Sequence, residues 1–150
     1  MGSIKSNNLR EGAINEKKVL KYLNHRNRFN KSLEKTQDRY ATFDFYNDKY
    51  ICELKSRNVK HNKYVSAMCG LNKIQDKHNY PNKKIRFYWL FTDGLYYWDY
   101  VKNVAGSEDN QFYVAIGGRD DRGRVEKGFC MFVWRKYLTK QTRQISSIVR

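Results

Sequence analysis

The sequence predicts an α/β fold, helices combined with a β-sheet, on three observations. Apolar residues recur at helical spacing over 11–24 and 64–78. Strand–turn–strand patterns occupy 40–55 and 85–101. Ile85–Phe91, IRFYWLF, is nearly all apolar or aromatic, as expected of a central strand buried on both faces.

The chain has 150 residues, a length that suits one domain with one core, here with a loose N-terminus over 1–10 and a basic tail over 139–150. Its 30 Lys+Arg against 15 Asp+Glu give a formal charge of +15, which points to a polyanionic partner and first to nucleic acid. An acidic lipid surface and a merely basic, soluble exterior are the competing readings. Cys52, Cys69 and Cys130 lie far apart with no CxxC pair, so neither a zinc site nor a disulfide framework is visible. No apolar run approaches the roughly 18–20 residues that span a bilayer. The protein is expected to be soluble and intracellular. MGSIKS fits the short N-myristoylation pattern, which is also a common opening without that meaning.

From Glu11 to Asn24, Ala13, Val19, Leu20 and Leu23 share one helical face. Glu16 falls near the centre of that stripe, where a carboxylate must be hydrogen-bonded, paired or metal-linked. A shifted register would leave it at the helix edge. Residues 24–38 read as a polar, basic loop in which Arg26 and Arg28 are candidates for phosphate contacts. In the second helix, Tyr64, Met68, Leu71 and Gln75 share a face, while Lys73 and Lys77 lie one turn apart and could line a backbone-binding surface. Thr92-Asp93-Gly94 supplies a turn between strands 85–91 and 95–101. Trp89, Tyr96, Tyr97 and Trp98 are read as core before base-stacking platforms. Strands follow at 112–116 and 129–134. The glycine-rich loop between them carries Arg119, Arg122 and Arg124, which suit a basic loop brushing a duplex backbone as well as a plain connector, and matches no nucleotide-binding fingerprint.

The hairpin 40–55 holds the chemistry. Strand side chains alternate faces, so Ile51, Glu53 and Lys55 point one way and Tyr50, Cys52 and Leu54 the other. A two-residue turn at Asn47-Asp48 pairs Asp44 with Ile51, and any even-length loop keeps the parity. Asp44, Glu53 and Lys55 then project together, backed by Phe43, Phe45, Cys52 and Leu54. As diagonal neighbours roughly 7–8 Å apart, the two carboxylates can converge on one hard divalent cation. Two acids and a lysine on one face suit metal-assisted phosphodiester hydrolysis.

A Gly12-Ala13-Ile14-Asn15-Glu16 helix, an acid on a strand at Asp44, then Glu53-Leu54-Lys55 on the paired strand and a further helix resembles the PD-(D/E)XK nuclease superfamily. The likeness covers about 11–90. It is nearest to archaeal Holliday-junction resolvases and small viral or phage nucleases. Phe43 stands where the family name has proline. The resemblance implies a restriction-endonuclease-like core, a mixed central sheet flanked by helices in the order αβββαβ. It also implies that Asp44, Glu53 and the Leu54 backbone carbonyl hold Mg²⁺ or Mn²⁺, with Glu16 joining directly or through water. Lys55 would orient or help deprotonate the attacking water, and Lys73 or Gln75 would be auxiliary. DNA is the expected substrate, RNA remains open, and a resolvase would be a homodimer. The alternative is a basic nucleic-acid-binding protein without chemistry. That reading leaves unexplained why acids interrupt a basic surface where they would repel phosphate.

Overall fold

Helix α1 (Ile4–His25) begins earlier than the apolar spacing predicts and takes in most of the stretch expected to be loose. The computed structural model describes residues 4–25, 32–37, 43–75, 80–101, 110–119 and 126–142. After α1 come β1 (Glu34–Lys35), β2 (Phe45–Tyr46), β3 (Tyr50–Ser56), β4 (Ser66–Gly70), α2 (Asn72–Gln75) and β5 (Lys84–Phe91). The chain continues through β6 (Gly94–Asp99), β7 (Phe112–Arg119), β8 (Glu126–Trp134), a 3₁₀ turn at Arg135–Tyr137, and β9 (Thr139–Thr142).

The strands make two sheets, ordered β1-β2-β3-β5-β6-β9 and β4-β8-β7. In the first, β3 and β5 are parallel and the remaining pairs antiparallel, so the sheet is mixed. Its two faces have different covers. Val19, Tyr22 and Leu23 of α1 pack on Phe45, Cys52, Leu54, Tyr88, Leu90 and Leu95. Each such side chain taken out of water contributes roughly 1.5–3 kcal/mol. On the opposite face Ile51, Ile85, Phe87, Trp89, Tyr96 and Trp98 meet Ala67, Cys69, Phe112, Met131 and Val133 of the second sheet. Trp89, Tyr96 and Trp98 are therefore core, as expected, while Tyr97 is half-buried.

Several expectations fail for tertiary reasons. The helix expected over 64–78 is instead strand β4 followed by the four-residue α2, with 76–79 outside the described residues. A window this short satisfies both periods. Ala67 and Cys69 are buried while their neighbours are not, and pairing with β8 selects the strand. The second sheet thus covers the face where a second helix was expected. Both ends of the expected glycine-rich loop are ladder, since Gly117 pairs with Gly128, Gly118 with Lys127 and Arg119 with Glu126, while 120–125 lie outside the described residues. Part of the expected C-terminal tail forms β9, which closes on β6. Ala13 is exposed, so among the α1 side chains described, from Glu11 on, the buried stripe starts at Val19.

Candidate active site

Glu53 sits in the middle of β3, between β2 and β5, with its residue only 4 % exposed. The parallel register aligns Glu53 with Phe87 and Lys55 with Trp89, so both side chains lie on the face covered by the second sheet. Lys55 Nζ is 3.2 Å from Glu53 Oε1, and Lys73 Nζ of α2 is 3.3 Å from Oε2. Oε2 is buried and no hydrogen bond of good geometry reaches it. Burial first, then the charge of Asp44, pushes the Glu53 carboxyl up to about 7, against the opposing pull of Lys55 and Lys73.

Asp44 reaches this centre by a route that alternation does not foresee. The loop of the hairpin is longer than two residues, and Tyr46 pairs with Ile51 and Phe45 with Cys52. Asp44 N–H also donates to Cys52 O at 2.9 Å, so two residues of one strand face one of the other. That count defines a β-bulge, which turns the strand and re-aims a side chain. Phe43 accordingly packs in the cluster under the second sheet, edge-on to Tyr80, while Phe45 packs under α1. The expected common face of Phe43 and Phe45 is thereby corrected. At the bulge the Asp44 carbonyl accepts from Thr36 N–H of the chain leaving β1 (3.0 Å), and Leu54 N–H donates to Asp44 Oδ2 (2.8 Å). The side chain takes the acceptor role that the interrupted ladder leaves open.

Glu16 approaches from α1, the other side of the sheet. Burial, then the charge of Asp44 and a hydrogen bond between the two carboxyls, holds Glu16 above the ordinary carboxylate range. Lys35 of β1 stands 3.8 Å from Glu16 Oε2 and opposes the shift. Lys35 was missed in the sequence, where it is one lysine in a polar stretch, and only the β1–β2 pairing brings it here. The arrangement is a file of three acids, Glu16–Asp44–Glu53, crossing the sheet at the end of β2, with Lys35, Lys55 and Lys73 along it.

A family model described as "Phage putative PDDEXK endonuclease" matches residues 10–132. The chain belongs to that family. No curated protein and no solved structure matches it. Membership supports nuclease activity and makes nucleic acid the substrate class. No helix among the described residues is long and apolar enough to cross a membrane.

Members of this nuclease family generally use divalent metals, and the donors here can be weighed for that role. Among the described residues no three His, Cys, Asp or Glu side chains form a ready cage. A Glu53 carboxyl raised by burial and by the charge of Asp44, with a buried oxygen that no hydrogen bond of good geometry reaches, nevertheless fits a hard cation that completes its shell with Asp44, backbone oxygen and water. Of the remaining candidates, α2 includes Gln75 and β7 ends at Arg119, but their side chains are not among those described. Arg26, Arg28, Lys77, Arg122 and Arg124 lie outside the described residues, as do Met1–Ser3 of the myristoylation pattern.

Proposed function

We propose that this endonuclease is metal-dependent and hydrolyses DNA phosphodiester bonds, cutting within structured or branched DNA. The observation that carries the reading is the forced proximity of Asp44 and Glu53 inside a chain of net charge +15. Two acids held this close repel the phosphate that the rest of the surface attracts, beyond what Lys55 and Lys73 offset, unless a cation stands between them.

Asp44, Glu53 and the Leu54 carbonyl would hold Mg²⁺ or Mn²⁺, with Glu16 joining through Asp44. Leu54 turns its N–H toward Asp44, and a strand residue sends its carbonyl to the same side. A cation bound there would polarise the scissile phosphate and lower the pKa of a coordinated water. Lys55, tethered to Glu53, would orient the attacking water and balance charge on the pentavalent transition state. Lys73, now on Glu53 Oε2, would move to the phosphate once a cation takes that oxygen.

The test is a panel of labelled junction, flap, gapped, duplex and single-stranded DNAs with a matching RNA, incubated with Mg²⁺ or Mn²⁺ beside Glu53→Ala. Cleavage that needs the metal and vanishes in the variant is expected. Equal cleavage by both proteins overturns the assignment.

A further inference from the structure

The β7–β8 hairpin outruns the sheet it belongs to. Strand β4 pairs with β8 only as far as Gly70 opposite Cys130. Beyond that row β7 and β8 continue as a two-stranded arm from Ile116↔Phe129 to Arg119↔Glu126. The arm leaves the second sheet at the end where β4 turns through Leu71 into α2, whose Lys73 touches Glu53. Cys69, the last inward residue of β4, lies within the field of Lys55 and Glu53, which fixes that end beside the acid file.

Alternation places Ile116 and Phe129 on the face that carries the buried Phe112, Met131 and Val133 further back. Past the core that face has no cover among the described residues: Ile116 is 69 % and Phe129 66 % exposed, a directly opposed cross-strand pair. The next pair, Gly117↔Gly128, puts no side chain on the opposite face at that row, where Phe132 and Met68 close over Gly117. An exposed isoleucine–phenylalanine pair gains little from phosphates, which are the outer surface of an intact duplex. It gains from bases, whose faces are open only where stacking is broken.

We propose that the β7–β8 arm engages unstacked bases at a break, branch or gap in the nucleic acid, with Phe129 stacking on a base and Ile116 wedging beside it. The inference rests on the nuclease reading for its substrate and supplies the feature of the substrate that directs it to the site. Continuity with the acid file and the chain's charge of +15 favour a nucleic acid over a second copy of this chain as the occupant.

The experiment compares binding of full-length protein to a fluorescent intact duplex and to the same duplex with a three-nucleotide gap, by anisotropy in EDTA. The wild type is expected to prefer the gapped DNA about 5- to 100-fold, the span that stacking of one base supports. Ile116→Ser/Phe129→Ser should bring the two affinities within about twofold of each other, leaving intact-duplex binding and the melting temperature unchanged. Phe129→Leu, which keeps the residue apolar, should lose part of the preference and decides the matter if the double variant does not fold. Undiminished preference in these variants overturns the proposal. So does a shift from dimer to monomer in light scattering with preference unchanged, which would assign the pair to self-association. Binding is read without metal, so wild-type protein that fails to cleave with Mg²⁺ yet shows the preference defeats the catalytic reading and leaves the arm standing.

Discussion

Two groups of charged side chains lie against the same sheet, and they are built oppositely. Arg86 of β5 donates to Asp99 of β6 from Nε (2.7 Å) and Nη2 (3.0 Å), and its guanidinium lies between the rings of Tyr50 (4.8 Å) and Tyr97 (4.2 Å). Its charge is met on several sides, and the guanidinium stays firmly protonated despite burial because Asp99 holds it. Glu53, by contrast, is buried beside Asp44, which its two lysines do not offset, and its carboxyl is pushed up to about 7. A satisfied pair costs little to keep and does nothing further. An unsatisfied one stores free energy that a bound cation can release, which is why perturbed carboxylates mark candidate sites.

The largest expected effect separates the two by activity. Asp44→Ala or Glu53→Ala should lower the cleavage rate by at least 10²–10³-fold, on the order of the loss when one charge-stabilising group is removed. Nucleic-acid binding in EDTA should survive in both. Arg86→Met should leave the rate per folded molecule unchanged, so an equal loss there would erase the distinction.

Stability should show the reverse order. Asp99→Asn strips the guanidinium of its anion and should cost on the order of 2–3 kcal/mol in urea denaturation, below the figure for a fully buried pair because the Asp99 side chain is 41 % exposed. Glu53→Gln should stabilise the metal-free protein at pH 8. The folded chain keeps the Glu53 proton to about pH 7, against an ordinary value of 4.5. Its contribution is therefore full below about pH 4.5 and lost as the pH rises through about 7, a decline on the order of 3 kcal/mol. The variant should flatten that part of the profile, and a wild-type curve without the slope would show that Glu53 is already ionised in the folded state.

The smallest effect concerns Lys73, which occupies the oxygen that a cation would use. Lys73→Met should tighten Mn²⁺ binding by about three- to tenfold in calorimetry, worth about 1 kcal/mol. Weaker binding would mean that Lys73 helps to position Glu53 and does not compete at it.

Alternation within β3 was legible from the residues alone: Glu53 and Lys55 share a face, Cys52 and Leu54 share the other, and both sets are where period-2 patterning puts them. Aromatic strands joined by Asp-Gly were equally readable, because Gly94 holds φ +154°, and an added Cβ would meet Thr142 O at 2.5 Å. These are properties of a residue and its immediate neighbours, so the chain states them locally. Strand β4, the position of Lys35, the bulge that turns Asp44 between its fellow acids, and the overhang of β7–β8 depend on which distant segments pair. No local period encodes those pairings. They are decided when both faces of one sheet must be buried at once, by a helix on one side and a second sheet on the other.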